Sequence, residues 1–156
     1  MNEYQAVFSL PCTRLGIRVD ANALQALDFL PLETPAHPPV TQMAQLVWEE
    51  LSAYLADPGH VFKLPLQMGG TEFQQRVWQQ IAVIPAGKTS TYGDLAMTLH
   101  SAPRAVGNAC GANPIPLVVP CHRVVGKSGL GGFNRQQTNL TLDIKRWLLR
   151  HEGHRV

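Results

Sequence analysis

Charged residues are scarce in this chain of 156 residues, and long apolar runs are absent from it. Only 15% of the residues are charged, against about 25% in an average globular protein, and the net charge is +2. With 45% hydrophobic residues the chain can bury a core, which excludes wholesale disorder. No apolar run approaches the roughly 18 residues that a membrane-spanning helix needs, so we expect no membrane association.

Cysteine is scarce as well, and its pattern excludes a disulfide framework. The three cysteines, an odd number at unrelated spacings, favour a reducing compartment. The first five residues lack the basic and apolar regions of a signal peptide, so we expect a cytoplasmic protein. The histidines have no metal-ligand spacing with the cysteines, which predicts no metal site.

The two halves of the chain carry opposite net charges. Residues 1–70 have three basic and seven acidic side chains, a net charge of −4. Residues 71–156 have ten basic and four acidic side chains, a net charge of +6. Such a basic half suits a polyanion such as nucleic acid, and the alternative is two solvated faces of ordinary charge.

The N-terminal part predicts a small β-meander followed by a helix. Apolar segments at 4–8, 15–19 and 23–30 are separated by proline and polar turns, as in consecutive strands. After a proline-rich loop, apolar residues recur at helical spacing: Val40, Ala44, Val47, Leu51 and Leu55.

A glycine pair marks the boundary between two predicted domains. Met68-Gly69-Gly70 precedes Thr71, which forms a capping box with Gln74, the signature of a helix start. We therefore expect two domains, an N-terminal α/β domain over 1–69 and a C-terminal domain over 70–156. The fold class that follows is α+β.

Two short helices in the C-terminal half predict a helix-turn-helix. A cap at Thr91 begins a helix over 92–99, and Pro103 begins a second helix that stops before Pro114. Two short helices with a tight connection are typical of this DNA-binding motif.

The second of these helices consists almost entirely of small residues. Its interior glycines, Gly107 and Gly111, would each cost about 1 kcal/mol relative to alanine. They share a face with Arg104, at positions i, i+3 and i+7. A bare face that begins with a cation suits a close approach to a phosphate backbone. The alternative is a helix pressed tightly against another segment of the protein.

The segment around Cys121 carries the strongest chemical signal. Cysteine nucleophiles react as thiolates, which need a base or positive neighbours, and His122 and Arg123 supply both. A Cys-His pair also occurs by chance beside a buried, inert cysteine. In an extended segment the side chains of Cys121 and His122 point to opposite faces, so a relay through water is expected rather than a direct hydrogen bond.

Residues 113–125, NPIPLVVPCHRVV, resemble the active-site motif of the methylated-DNA–protein cysteine methyltransferases, or O6-alkylguanine-DNA alkyltransferases. Further blocks agree with this family in order and spacing, at 73–78, 85–93, 104–107 and 145–153. The resemblance covers about residues 70–156. It implies a ribonuclease H-like N-terminal domain followed by a winged-helix/helix-turn-helix-type catalytic domain.

The resemblance also implies a role for each matching residue. Cys121 would take the alkyl group from O6 of guanine, and also from O4 of thymine, in one irreversible step without a cofactor. His122 would act through a water to form the thiolate, with Glu152 orienting the imidazole. Asn113 would brace the active-site turn, and Tyr92 would donate a hydrogen bond to the flipped base.

The implied partner is double-stranded DNA that carries O6-alkylguanine, bound by a monomer. A base inside a duplex cannot present O6 to a deep thiol, so it must be flipped out. Arg104 would enter the stack and fill the vacated space, while the helix lies in the minor groove. The other DNA-binding residues would be Thr91, Ala105, Gly107 and Gly111.

Pro116 and Phe133 would line the alkyl pocket, and here the sequence departs from the family pattern. Phe133 follows Gly132 where family members usually have tyrosine, so a hydroxyl group is absent. The segment 134–143 is longer and lacks paired glycines. Because this loop would border the pocket, the resemblance does not predict the selectivity between methyl and bulkier groups.

Two other classes of function are open at this point. A non-enzymatic protein that binds alkylated bases is one, and a Cys121 pKa at or above the free value of about 8.5 would favour it. Family relatives of that kind lack the reactive cysteine, which is present here. A Cys-His hydrolase is the other, and it would need hydrolytic turnover and an oxyanion hole, neither of which follows from the sequence.

Overall fold

The chain divides into two compact units, Met1–Met68 and Gly69–Val156, in a computed structural model that describes residues 3–131 and 139–156. The class is α+β, as predicted. Phe133, predicted in the alkyl pocket, and the rest of 132–138 lie outside the described residues.

A three-stranded antiparallel sheet forms the predicted β-meander of the first unit. Its strands, β1 (Ala6–Leu10), β2 (Thr13–Val19) and β3 (Leu24–Leu30), pair in chain order. Apolar side chains from all three are buried, among them Val7, Leu15 and Leu27. The hydrophobic pattern therefore predicted the strands, with bounds that differ by at most two residues.

One helix, α1 (Gln42–Ala56), packs on this sheet through buried residues of one face. The Thr41 hydroxyl accepts a hydrogen bond from the Ala44 amide at 3.1 Å and fixes the helix start. Val40, predicted on the helical stripe, precedes this cap and is 70% exposed, so its assignment to the helix is wrong. Ala44, Val47 and Leu51 are buried as predicted.

The second unit begins with α2 (Glu72–Ala82) and continues with α3 (Tyr92–Leu99) and α4 (Pro103–Gly111). Both hydrogen bonds of the capping box form, since Thr71 accepts from the Gln74 amide at 3.1 Å and the Gln74 side chain accepts from the Thr71 amide at 2.9 Å. These bonds confirm the predicted helix start.

Helices α3 and α4 form the predicted pair around a tight turn. His100 adopts a left-handed conformation with φ 54° as the C-cap of α3, and Pro103 opens α4 three residues later. Leu95 and Leu99 of α3 and Val106 of α4 are buried. The capping residues and prolines alone were sufficient to predict both helices.

The remaining elements surround the chemical motif. The two-residue strands β4 (Ser90–Thr91) and β5 (Val124–Val125) pair in parallel, and α5 (Asn139–His151) follows. Strands this short have no periodicity, which is why the sequence did not reveal them. None of the described helices combines the length and the apolar character that crossing a membrane requires.

Candidate active site

Hydrogen bonds from the Asn113 side chain stabilise the turn that contains Cys121. Its side-chain amide donates to the Val119 carbonyl at 2.9 Å and to the Cys121 Sγ at 3.0 Å. Its Oδ1 accepts from the Ile115 amide at 2.9 Å. Because Asn113 is buried, these bonds form away from water, and the structure brings Asn113 to the thiol.

The backbone around the cysteine turns sharply instead of running extended. The Cys121 amide donates to the Val119 carbonyl at 2.8 Å across Pro120, and Cys121–Arg123 form one turn of 3₁₀ helix. The expectation of an extended segment, with alternating faces, is therefore wrong here. Pro120 has no N–H and a fixed φ, which favours this turn over a strand.

The thiol of Cys121 is buried against the end of α4. Its Sγ donates to the Cys110 carbonyl at 3.6 Å. The neighbouring Cys110 side chain and burial raise the pKa of Cys121 well above its usual value, while the Asn113 amide and the charge of Lys145 act in the opposite direction. The thiol is therefore protonated in the free protein at neutral pH.

His122 has the hydrogen bonding of a neutral base. Its Nε2 lies 2.7 Å from the Glu152 Oε2, and a carboxylate can only accept, so the imidazole proton resides on Nε2. Its Nδ1 is buried and has no hydrogen-bond partner among the described residues. Burial lowers the pKa of His122, which leaves the Nδ1 lone pair free to take a proton at neutral pH.

Arg123 is buried, which the sequence did not predict. Its Nε and one terminal nitrogen donate to the two oxygens of Glu152, both at 2.9 Å. Its other terminal nitrogen donates to the Ile84 carbonyl at 2.7 Å. In the sequence, only the position of Arg123 directly after Cys121 and His122 indicated that it lies in the candidate active site.

Tyr92 and Lys145 complete the described side chains around the thiol. Burial is the main cause that raises the pKa of Tyr92, so its phenol stays protonated and able to donate. Lys145 Nζ lies 5.8 Å from the Tyr92 ring centre and donates to the carbonyls of Val124 and Leu130 at 2.7 and 2.5 Å. Burial lowers the pKa of Lys145 to about 8.

The predicted DNA-binding residues lie together on α4 and at the start of α3. Arg104 is exposed in the first turn of α4, and Ala105, Gly107 and Gly111 are partly exposed. A Cβ on Gly107 would lie 4.0 Å from the Tyr92 ring, an ordinary contact. Tight packing against protein therefore does not explain this glycine. The Thr91 hydroxyl accepts from the Asp94 amide at 3.0 Å as the α3 cap.

The alkyl pocket is only partly described. Pro116 is buried in the loop before Cys121, where it forms an isolated bridge with Val119, and Phe133 lies outside the described residues. Within residues 3–131 and 139–156, no group of three His, Cys, Asp or Glu side chains is arranged to hold a metal ion.

Comparison with protein families identifies the chain. The model described as 6-O-methylguanine DNA methyltransferase, DNA binding domain, matches residues 72–154, more than half of the sequence. The chain belongs to this family. The resemblance seen in the sequence is thereby confirmed, and the match spans the helix-turn-helix, Cys121 and Glu152.

Individual members of the 6-O-methylguanine DNA methyltransferase family agree with this assignment. A methylated-DNA–protein-cysteine methyltransferase of Mycolicibacterium paratuberculosis is 47% identical over 102 residues, which cover 61% of this chain and 62% of that protein. The chain spans between 58% and 64% of the length of the first curated relatives it matches.

Solved structures of the same family match almost the whole chain. The O6-methylguanine methyltransferase of Mycobacterium tuberculosis has a TM-score of 0.78 and 33% identity, over 96% of this chain and 92% of that one. A crystal structure titled as that organism's OGT in complex with DNA has a TM-score of 0.77 and 36% identity, over 94% and 90%. The fold of the family therefore extends through both units.

Proposed function

We propose that this protein repairs DNA by moving an alkyl group from O6 of guanine, and from O4 of thymine, to its own Cys121. The observation that carries the proposal is the Cys121 thiol beside Asn113 and next to the paired side chains of His122 and Glu152, in a chain of this family. The named relatives are methyltransferases of the same kind, which does not favour a non-enzymatic binder.

The proton of the thiol must leave during the reaction, because the raised pKa of Cys121 excludes a resting thiolate. A water between Cys121 Sγ and His122 Nδ1 would carry it, with Glu152 holding the imidazole. The S–C bond forms as the C–O6 bond breaks, and the thiol proton ends on the released guanine. Tyr92, a protonated donor, would stabilise the charge on the departing base.

The fate of Cys121 limits each chain to one reaction. A thioether is not a leaving group for water, and the proposed step involves no second nucleophile. The protein would therefore act stoichiometrically and would need no cofactor.

DNA binding by α3 and α4 follows from the same proposal. Arg104 is exposed at the start of α4, where it would fill the gap left by a flipped base and offset part of the few kcal/mol that flipping costs. Gly107, with room for a Cβ on its protein side, is better explained by a close approach of the DNA. The partner would be double-stranded DNA bound by a monomer.

The finer description of the two units is part of the proposal. The meander and helix of Met1–Met68 fit a ribonuclease H-like structural domain. The helix pair with β4 and β5 fits a winged-helix-type catalytic and DNA-binding domain over Gly69–Val156. A cytoplasmic location would follow from the reduced thiols that the chemistry requires.

Mass spectrometry tests the proposal directly. Incubation with duplex DNA that carries O6-methylguanine should add one methyl group, 14 mass units, to the peptide with Cys121, and never more than one per chain. Cys121→Ser should gain none, whereas Cys12→Ala should react like the wild type. A methyl group on Cys12 or Cys110, or no methyl group at all, would contradict the assignment.

The alternative functions give different results in the same experiment. A non-enzymatic binder would retain alkylated DNA without modification of Cys121, and a hydrolase would release alcohol over many turnovers. The pKa of the free thiol does not separate these functions, contrary to the expectation from the sequence, because burial beside Cys110 raises it whether or not the protein reacts.

A further inference from the structure

The buried carboxylate of Glu152 accepts hydrogen bonds from two side chains, the imidazole of His122 and the guanidinium of Arg123. Its Oε2 receives both His122 Nε2 at 2.7 Å and one Arg123 terminal nitrogen at 2.9 Å, and its Oε1 receives Arg123 Nε at 2.9 Å. The side chains of His122 and Glu152 are completely buried, and that of Arg123 is 10% exposed. Solvent therefore does little to screen these charges.

The position of Glu152 at the end of a helix disfavours its negative charge, which a nearby cation can offset. Glu152 directly follows α5, and its amide donates to the carbonyls of Leu148 and Leu149 at the helix C-terminus. The negative end of the helix dipole disfavours an anion there. If His122 were the only cation available, the carboxylate would favour a protonated imidazole.

We propose that Arg123 is a positioning residue that keeps His122 neutral and correctly oriented, because its two-pronged pairing neutralises Glu152. This proposal rests on the proposed function, in which His122 must accept the proton of Cys121. The bond from Arg123 to the Ile84 carbonyl, at 2.7 Å, ties the guanidinium to the loop after α2. Arg123 thus holds Glu152 in place without touching the reacting atoms.

In the part of the chain that the structure describes, three charged side chains act on His122. Glu152 follows α5 and favours the imidazolium, whereas Arg123 on the 3₁₀ turn and Lys145 on α5 disfavour it. Arg123 lies closest to the carboxylate, with two hydrogen bonds, and Lys145 binds carbonyls instead. Removal of Arg123 should therefore raise the proton affinity of His122 more than any other single change of charge around it.

The test compares Arg123→Met with the double variant Arg123→Met/Glu152→Gln, in which both members of the pair are neutral. NMR titration of the His122 ring nitrogens, in the protein without DNA, should show a higher midpoint in Arg123→Met than in the wild type. The double variant should return toward the wild-type midpoint. Circular dichroism spectra identify the variants that are folded.

Methyl transfer supplies the second measurement. At pH 6.5 a one-unit rise in the midpoint should slow transfer by Arg123→Met by at most about fivefold relative to the wild type, because the wild-type midpoint lies below 6.5, and the difference should vanish at pH 8.5. A merely structural role of Arg123 would lower the rate equally at both values of pH.

Equal His122 midpoints in folded Arg123→Met and wild type would overturn the inference. If Arg123→Met does not fold, Arg123→Gln replaces it, because its neutral amide can still donate to Glu152 without the positive charge, so the midpoint should still rise. An unchanged midpoint in that variant would overturn the inference too. Failure of the wild type to methylate Cys121 would refute the proposed function alone, because the NMR titration does not depend on it.

Discussion

The side chain of Asn113 stabilises the loop and positions the thiol at the same time. Its amide links the Val119 carbonyl to the Cys121 Sγ, and its carbonyl oxygen holds the Ile115 amide. Asparagine has a donor and an acceptor on one rigid group, and an aspartate or a leucine of similar size would lose one or both. The identity of this residue therefore affects both the stability of the loop and the reactivity of Cys121.

We predict that Asn113→Ala is destabilised by about 2–4 kcal/mol, because the Val119 carbonyl and the Ile115 amide lose buried partners. Methyl transfer at neutral pH should also slow, since the amide that lowers the Cys121 pKa is gone. Urea unfolding and single-turnover rates measure the two effects. Asn108→Ala, an exposed asparagine on α4, is the control and should change stability by less than about 1 kcal/mol. A stable, fully active Asn113→Ala would contradict this role.

At the scale of elements, the helices were predictable and the active-site turn was not. Thr71, Thr91 and Pro103 are local signals for helix starts, and each helix begins where they predict. The turn at Cys121 depends instead on distant partners, since Asn113 and Glu152 are separated from it by 8 and about 30 residues. No local pattern encodes such contacts.

Two further features of this segment had no sequence signal of their own. Leu117 adopts φ 75°, a left-handed conformation that is uncommon outside glycine, while its side chain is buried. The burial of Arg123 depends on a carboxylate 29 residues away. Family resemblance named the candidate site residues, and the charge split separated a basic half of the sequence, but neither predicted the Arg123–Glu152 pair.

Substitution of a glycine on α4 should have opposite effects on the stability of the protein and on its binding to DNA. Gly107→Ala should stabilise the protein by roughly 0.5–1 kcal/mol, because alanine favours helix and its Cβ finds 4.0 Å of space. The same methyl group should weaken DNA binding if α4 approaches the backbone of the duplex closely. Urea unfolding and fluorescence anisotropy with a labelled duplex measure the two changes.

A glycine-to-alanine substitution outside α4 is the control for the effect of Gly107→Ala on DNA binding. Gly69→Ala lies outside α4, and a Cβ there would meet no atom within 4 Å, so DNA affinity should be unchanged. If Gly107→Ala and the wild type bind DNA with equal affinity, the face of α4 that carries Gly107 does not contact the DNA, and the stability result would not change that conclusion.

For the molecule as a whole, the buried titratable groups are concentrated in one unit. His122, Arg123, Lys145 and Glu152 are buried in Gly69–Val156, whereas Thr13 and Tyr54 are the buried side chains with a polar group in the described part of Met1–Met68. The unit with the net positive charge thus contains His122, a buried group whose lowered pKa couples proton binding to unfolding in acid.

His122 makes stability decline as the solution becomes acidic. Burial keeps its pKa in the folded protein below the unfolded value of about 6.5. Below that pH the unfolded chain binds a proton that the folded protein does not bind, so the free energy of unfolding falls with pH. The slope from this group can reach about 1.4 kcal/mol per pH unit. Above pH 6.5 the imidazole is neutral in both states, and its contribution is constant.

We predict that His122→Gln loses this part of the slope between pH 7.5 and 5.5, measured by urea unfolding at intervals of half a pH unit. Lys145, with a folded pKa of about 8, adds to the slope near pH 7.5 in the wild type and the variant alike, so the difference between the two curves still reports His122. Gln can still donate to Glu152, so the variant keeps a partner for the carboxylate. His37→Gln, at a partly exposed histidine in the first unit, is the control and should keep the wild-type slope. Parallel curves for His122→Gln and wild type would mean that His122 binds protons equally well in the folded and unfolded protein, and burial would then not be what keeps it neutral.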